Sequence, residues 1–212
     1  MVLNQRTQEE FNMSRIKCRT CRRVGESICG REKCAFKKRP FAPGRLDSER
    51  KHKSNKSEYG EQLRDKQKLR IAYGLREKQF GAYINKAINM KGVNTQEMIF
   101  SLLESRLDNV AFRCGLANTR ALARQLVNHG HVIVNGKKIS IPSYSVRVGD
   151  VIEVREGSKV STYFTKLAEK FEPTVPSWIT GDAKKMSFTI KNLPKELDKA
   201  VNYQTIVEFY SR

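Results

Sequence analysis

Four of the five cysteines in the sequence lie between positions 18 and 34, in the stretch CRTCRRVGESICGREKC. Two residues separate the first pair, Cys18 and Cys21, and four separate the second pair, Cys29 and Cys34. Thiolates spaced in this way can surround one tetrahedral zinc ion, and the intervening arginines and lysines favour the thiolate form. No histidine or carboxylate stands where a water-activating site would need one, so we predict a single structural zinc ion. An iron–sulfur cluster, free thiols and disulfides are the alternatives.

A second group of polar side chains follows in residues 113–138. Arg120 and Arg124 are four residues apart and therefore lie on one face of the predicted helix. Arginine matches phosphate oxygens, whereas asparagine and histidine can reach sugar hydroxyls or base edges. We therefore predict an RNA-binding surface made by Arg113, Arg120, Arg124, His129, His131, Asn135, Lys137 and Lys138. A solvated helix face and zinc binding by His129 and His131 are the alternatives.

One tripeptide raises the question of catalysis. Residues 105–108, SRLD, resemble the Arg-Leu-Asp core of the catalytic motif of pseudouridine synthases, which would make the chain an RNA-modifying enzyme with Asp108 as nucleophile. The tripeptide, however, falls within a predicted amphipathic helix, and Leu107 belongs to its buried stripe. We therefore expect Asp108 to form a structural ion pair with a neighbouring arginine. The sequence also lacks a glycine-rich phosphate loop and a nucleophile beside a plausible base, so we predict no enzymatic activity.

The charge of the whole chain indicates the class of its partner. The 212 residues include 41 basic and 22 acidic residues, a formal net charge of +19, which exceeds what solubility requires. A polyanion such as RNA would offset this charge, and a merely soluble basic surface is the alternative. No run of 18 apolar residues is present, and residues 1–14 resemble neither a secretory signal nor a transit peptide. We expect a disordered leader there, no membrane or small-molecule partner, and a cytoplasmic location.

The elements that must position these groups are mainly helices. Residues 15–56 contain 15 basic and 4 acidic residues with almost no periodic hydrophobic positions, and we expect residues 37–57 to be extended or disordered until bound. Apolar periodicity and cap residues then predict four helices, over residues 57–74, 76–92, 94–115 and 119–130.

The period then changes to that of strands. Asn135-Gly136 is a strong two-residue turn signal, so residues 131–141 are predicted to form a hairpin, and residues 144–156 supply another turn and strand. We expect a helix over residues 158–170, with Phe164, Leu167 and Ala168 inside, and late strands within residues 186–194 and 205–212. The mixture predicts an α+β fold.

Three blocks of the chain resemble the small-subunit ribosomal proteins of the S-four type. They are YGEQLRDKQKLRIAYGLREKQF (59–80), SRLDNVAFRCGLANTRALARQLVNHGHVIVNGKKISIPSY (105–144) and IVEFYSR (206–212). The resemblance implies an N-terminal zinc-binding arm, a mainly helical domain and an inserted helix–helix–β-hairpin RNA-binding module. We therefore expect a leader over residues 1–14, the zinc arm and helical domain over 15–93, completed by about 190–212, and the module over 94–189.

The same resemblance implies a function in the small ribosomal subunit. Members of the family bind the 5′ domain of small-subunit (16S-type) ribosomal RNA early and nucleate assembly. They line the channel through which messenger RNA enters, contact a neighbouring protein of the S-five type and influence translational accuracy. Some repress translation of their own messenger, and a free messenger regulator is a further possibility for this chain.

Site residues follow from the resemblance by position. The four clustered cysteines match the zinc ligands of zinc-binding members, although the gap between the pairs is shorter than expected. Arg120, Arg124, His129, His131 and Asn135 fall in the RNA-facing stretch of the module, and Arg50, Lys51, Lys53 and Lys56 fall where the family lines the messenger entrance. Residues 43–47, PGRLD, replace the usual Pro-Gly-Gln-His-Gly. The other predicted RNA contacts are Arg22, Arg23, Lys37, Lys38, Arg39, Arg45, Tyr59, Arg64, Lys66, Lys68 and Arg70.

Overall fold

The fold is mixed helix and antiparallel sheet, an α+β fold, as predicted. The computed structural model of the chain describes residues 18–29, 33–44, 57–169, 175–182, 185–195 and 201–211. The chain divides into two compact units, residues 1–96 with 198–212 and residues 97–197. None of the helices in these described ranges is both long enough and apolar enough to cross a membrane.

The described part of the first unit is helical. Its helices are α1 (Cys18–Val24), α2 (Ala35–Lys38), α3 (Glu58–Ala72), α4 (Glu77–Ile88) and α10 (Tyr203–Ser211). Helices α3 and α4 confirm the helices predicted over 57–74 and 76–92. Helix α3 begins where predicted, because the Ser57 hydroxyl accepts a hydrogen bond of 3.2 Å from the backbone N–H of Gly60. Helix α10 packs against α3 and α4, and Leu69, Phe80, Ile84 and Ile206 are almost fully buried in these helices.

The strand predicted within residues 205–212 is wrong, because this segment is helix α10. Its β-branched residues favour a strand locally. Tyr203 and Ile206, however, are buried three residues apart, which is helical spacing. The side-chain oxygen of Asn202 also accepts a hydrogen bond of 3.1 Å from the backbone N–H of Gln204 at the start of the helix. Burial against α3 and α4 therefore overrides the local preference.

The second unit contains a five-stranded antiparallel sheet. Its strands are β1 (Val132–Val134), β2 (Lys137–Lys138), β3 (Val151–Val154), β4 (Ile179–Asp182) and β5 (Ser187–Ile190), in the order β2-β1-β3-β5-β4. Ile133 pairs with Lys138 on one side and with Glu153 on the other, and Ile152 pairs with Phe188. Alternate residues of the strands are buried in one apolar core together with side chains of the helices. Strand β5 confirms the late strand predicted within residues 186–194.

The hairpin turn at Asn135-Gly136 is confirmed. Both residues have positive φ, 50° and 75°, as a two-residue turn between twisted strands requires. The side-chain amide of Asn135 donates a hydrogen bond of 2.8 Å to Asp150, and its oxygen accepts one of 2.9 Å from the backbone N–H of Val151. These two bonds tie the turn between β1 and β2 to the start of β3.

The helices of the second unit differ from prediction at one point. They are α5 (Thr95–Glu104), α6 (Leu107–Arg113), α7 (Arg120–Asn128), α8 (Glu156–Lys159) and α9 (Thr162–Glu169). The single helix predicted over residues 94–115 is therefore wrong, because it is interrupted between α5 and α6. At the interruption the carbonyl of Ser105 accepts a hydrogen bond of 2.8 Å from Val146, and the N–H of Leu107 donates one of 2.8 Å to Tyr144. Backbone from residues 142–146 replaces the helical hydrogen bonds there.

Helices α7 and α9 follow the prediction more closely. Helix α7 is capped as expected, since the Thr119 hydroxyl accepts a hydrogen bond of 3.2 Å from the backbone N–H of Leu122. Helix α9 buries Phe164 and partly buries Leu167 in the core of the second unit, and the side chain of Ala168 lies outside the described part of the chain. The short helix α8 precedes it and was not expected as a separate element. Cys114 is fully buried at the end of α6, in agreement with its predicted role as a small core residue.

Candidate nucleic-acid interface and metal centre

The first unit brings three of the four clustered cysteines together. Cys18 and Cys21 lie one turn apart on α1, Cys29 lies in the following loop, and Cys34 directly precedes α2. The sulfur atoms of Cys18, Cys29 and Cys34 lie within 4.8 Å of one another. Cys21 is fully buried on the same helix as Cys18 but does not belong to this group of three. Because thiolates around one tetrahedral ion are separated by about 4 Å, these three sulfur atoms are close enough together to share one metal ion.

The chemistry of the cluster also suits a metal. The hydrogen bond from Ser27, helped by that from the backbone of Phe36 and by smaller contributions from Cys29 and Cys21, lowers the pKa of Cys34 to about 6 against the opposing effect of burial. Burial, with smaller contributions from Cys29, raises the pKa of Cys21 to about 11. One thiol of the buried pair is therefore ready to ionise near neutral pH. A cation at the centre of the cluster would stabilise the thiolate form of the others.

Exposed cations surround this cluster. We define the cysteine-arm surface by exposed basic residues near the cluster, which are Arg19, Arg23, Lys33, Lys37, Lys38 and Arg39. Arg19 and Lys33 are not among the predicted contacts, although each directly adjoins a cysteine of the cluster in the sequence. Arg22 has a different environment, because its guanidinium lies 5.1 Å from the ring centre of Phe41 and donates a 2.9 Å hydrogen bond to that residue's carbonyl. It holds the chain after α2 against α1.

Helix α3 does not present its predicted contacts as one surface. The Lys66 side chain is buried, with its ammonium 2.5 Å from Glu77 and 4.5 Å from the ring centre of Phe209. Lys68 pairs with Glu26, and Arg70 lies 3.2 Å from Glu77. These three cations therefore take part in the packing of the first unit.

The two other predicted contacts on the same helix are also at least partly exposed. The ring of Tyr59 is half exposed and stacks on Phe209 at 5.5 Å between ring centres. Arg64 is partly exposed. The remaining predicted contacts of this region, Arg45, Arg50, Lys51, Lys53 and Lys56, lie outside the described residues.

Most of the predicted contacts of the second unit lie on or next to α6, α7 and β2. We define the module surface by Arg113, Arg120, Arg124, His129, Lys137 and Lys138, all of which are partly or fully exposed. Arg113 and Arg124 each form a salt bridge with a buried carboxylate, at 2.8 and 2.7 Å. Arg120 donates a 2.7 Å hydrogen bond to Asn109 and stacks over the ring of Phe112 at 4.6 Å. Lys137 and Lys138 extend from the exposed hairpin strand.

His131 and Asn135 have structural partners in this unit. The ring nitrogen Nδ1 of His131 lies 2.9 Å from the hydroxyl of Ser158, and the ring packs edge-on against Phe164. Burial, with the nearby charges of His129, Arg155 and Lys138, lowers the pKa of His131 below its ordinary value. Asn135 makes the turn-stabilising hydrogen bonds described above. The two side chains therefore take part in the packing and turn geometry of this unit.

Asp108 is a structural residue. Arg106 donates hydrogen bonds of 3.0 and 2.8 Å to its two oxygens, and Arg124 donates two more, of 2.9 and 2.7 Å. The carboxylate is only 3% exposed. The predicted ion pair with a neighbouring arginine is thus confirmed, and the carboxylate is not presented to a substrate as a nucleophile would need to be.

Comparison with known proteins gives one family of ribosomal proteins over most of the chain. The family described as Ribosomal protein S4/S9 N-terminal domain matches residues 12–104, and the S4 domain matches residues 105–152. The small ribosomal subunit protein uS4 of Syntrophomonas wolfei subsp. wolfei is 48% identical over 204 residues, covering 92% of this chain and 96% of the relative. The proteins of the same name from Caldicellulosiruptor bescii and Koribacter versatilis are 46% identical over 204 and 212 residues. These alignments cover 92% and 94% of this chain, and 96% and 100% of the relatives.

Proposed function

The chain belongs to the uS4 family of small ribosomal subunit proteins, and on that premise we propose that it is a non-catalytic structural constituent of the small subunit. In this proposal it binds small-subunit ribosomal RNA, in the 5′ domain, and nucleates assembly. The observation that supports RNA binding most directly is the exposure of two sets of cations, the cysteine-arm surface and the module surface, on a chain of net charge +19. Lysine and arginine on these surfaces neutralise phosphates, and the shape of the folded RNA supplies specificity.

The proposal includes one structural zinc ion in the cysteine cluster. The support is the close approach of the sulfur atoms of Cys18, Cys29 and Cys34, and Cys21, buried on α1, would be the fourth ligand. An all-sulfur donor set of this size is typical of structural zinc sites. The metal would fix α1 and α2 relative to each other and thereby set the geometry of the cations that they present.

Further parts of the proposal rest on family resemblance. Arg50, Lys51, Lys53 and Lys56 would line the messenger RNA entrance, where the chain would influence translational accuracy. A neighbouring small-subunit protein of the S-five type would contact it, and the chain would repress translation of its own messenger. The four basic residues lie outside the described residues, so this part of the proposal rests on their positions in the sequence.

Filter binding across a salt series tests the main proposal. The purified chain is offered the 5′ domain of small-subunit ribosomal RNA and an unrelated RNA of equal length. If about eight phosphates are contacted, the logarithm of the affinity for the 5′ domain falls against the logarithm of salt concentration with a slope of about −6 to −7. A flat salt response, or equal affinity for the two RNAs, contradicts the proposal.

A matched pair of variants locates the contacts. Lys37 and Lys86 are both exposed lysines near the ends of helices in the first unit, but only Lys37 lies on the cysteine-arm surface. Lys37→Gln is expected to reduce the steepness of the salt slope by about one. Lys86→Gln removes the same charge and is expected to leave the slope unchanged. Equal effects of the two variants would argue against the cysteine-arm surface as the contact.

A further inference from the structure

Two carboxylates are buried beside the module surface. Glu104 ends α5 and is 0% exposed, and Asp108 lies in the first turn of α6 and is 3% exposed. They flank the interruption between the two helices. An ionised carboxylate is costly to bury unless its oxygens are paired and hydrogen-bonded. Both carboxylates meet that requirement through arginines and one asparagine.

Asp108 is paired with two arginines, although one would balance its negative charge. Arg106 is itself 2% exposed and already meets the carboxylate with two hydrogen bonds, so one buried positive charge balances one buried negative charge. Arg124 adds two further hydrogen bonds from a side chain that is 31% exposed. Because the charge of Asp108 is balanced without it, the pairing chiefly restricts the orientation of Arg124.

Glu104 acts on two arginines, one directly and one through an amide. Arg113 donates hydrogen bonds of 2.8 Å to each of its oxygens. Asn109 donates a 2.8 Å hydrogen bond to Glu104 and accepts one of 2.7 Å from Arg120, whose guanidinium lies 3.9 Å from the same carboxylate. The ring of Phe112 supports the guanidinium of Arg120 from its face. Arg113 and Arg120 retain 30% and 26% exposure.

We propose that Glu104 and Asp108 are positioning residues, which hold Arg113, Arg120 and Arg124 in a fixed orientation for the phosphates of a folded RNA. The inference rests on the proposed function, because it needs a structured RNA as partner. A guanidinium held in place before binding loses less conformational freedom when it meets a phosphate. The arrangement therefore favours an RNA whose phosphates match three fixed positions over one that offers only charge.

Neutralising the buried carboxylates tests this inference. Asp108→Asn and Glu104→Gln each keep the shape of the side chain and raise the net charge by one. Glu156→Gln makes the same charge change at an exposed position of the same unit, outside the module surface. If the arginines act only as charges, all three variants bind any RNA equally well or more tightly than the wild type does.

We expect the buried and exposed variants to differ. Asp108→Asn and Glu104→Gln should lose about tenfold in affinity for the 5′ domain, since each releases at least one ordered arginine. Their affinity for the unrelated RNA should be unchanged or higher, and Glu156→Gln should keep the wild-type preference. Suppose that the wild type prefers the 5′ domain and that the buried variants have the same affinities for both RNAs as Glu156→Gln. The positioning role of Glu104 and Asp108 is then refuted, and the proposed RNA-binding function is not. If the wild type has no preference, both proposals fail.

A measurement on the wild-type chain covers the case in which a buried variant does not fold. Nuclear magnetic resonance of the full chain labelled with ¹⁵N-arginine detects the Nε–H group of each arginine, assigned by single Arg→Lys variants. Without RNA, the Nε–H protons of Arg113, Arg120 and Arg124 should exchange with water at least tenfold more slowly than that of exposed Arg39, because each is donated to a partly or fully buried acceptor. Exchange as fast as that of Arg39 overturns the inference.

Discussion

Replacement of Lys66 with methionine distinguishes a phosphate contact from a packing role. Methionine keeps an unbranched stem of similar length and removes the ammonium. The lost cation–π contact with Phe209, at 4.5 Å, is worth about 0.5–2 kcal/mol. The ion pair with Glu77 is worth about 0.2–1 kcal/mol, because Glu77 is 49% exposed and solvent screens it. Relief of the ammonium's desolvation offsets part of the loss, so we expect about 1–2 kcal/mol of destabilisation, confined to the first unit.

The single tryptophan makes this prediction specific to one unit. Trp178 is buried in the core of the second unit, so its fluorescence reports the unfolding of that unit, whereas far-ultraviolet circular dichroism also reports the helices of the first. In urea, Lys66→Met should shift the dichroism transition to lower concentration and leave the fluorescence transition in place. The salt slope of RNA binding should not change. Lys86→Met, at an exposed position of α4, should change neither the two urea transitions nor the salt slope. A slope reduced by about one with unaltered urea transitions would refute the packing role of Lys66 and assign it to a phosphate.

Three further predictions concern the metal, the pH dependence of stability and the hairpin. Elemental analysis should find about one zinc per chain and much less in Cys34→Ser. Chelation should expose residues 18–44 to protease, while the Trp178 fluorescence of the second unit should keep its native value. Absence of bound metal together with full protease resistance would contradict the zinc site. Burial raises the pKa of Glu77, but the hydrogen bond and charge of Lys66 outweigh it and leave the pKa below the ordinary 4.5. The ionised carboxylate of Glu77 therefore contributes stability that is complete above pH 4.5 and is lost as pH falls through the lowered pKa. The urea midpoints of the wild type and of Glu77→Gln should for that reason converge in acid. A difference between the two midpoints that stays constant down to pH 3 would disprove this role of Glu77. Asn135→Ala should destabilise the second unit by about 1–2 kcal/mol, because alanine tolerates the positive φ poorly and two hydrogen bonds are lost. Asn135→Gly should destabilise it by less, because glycine tolerates the positive φ. Unfolding in urea followed by Trp178 fluorescence measures both effects.

Local signals in the sequence predicted much of the fold. Ser57 and Thr119 cap the helices that they were expected to cap, and the Asn135-Gly136 turn forms because both residues tolerate positive φ. The family matches also confirm the resemblance that three blocks of sequence indicated. The caps and the turn depend on residues close to each other in the sequence, and the family resemblance depends on long blocks of sequence.

Two predictions, the single helix over residues 94–115 and the strand within residues 205–212, are wrong because distant segments of the chain determine the local structure. The interruption after Glu104 exists because the backbone of residues 142–146 supplies hydrogen bonds to Ser105 and Leu107, about 40 residues away. Helix α10 forms because α3 and α4, more than 110 residues earlier, bury Tyr203 and Ile206. Neither partner is visible in the periodicity of the segment itself, so propensity alone gives the wrong element.

The same limit applies to the candidate site. The charges of Lys66 and Arg64, two residues apart on α3, look equivalent in the sequence, yet one ammonium is buried against Glu77 and Phe209 while the neighbouring arginine is partly exposed. Charge identifies residues that can bind phosphate, and only packing decides which of them face solvent. Acidic residues escape a search for cations altogether, although Glu104 and Asp108 hold three arginines of the module surface in place. A functional surface in such a protein is therefore set as much by its buried anions as by the cations it presents.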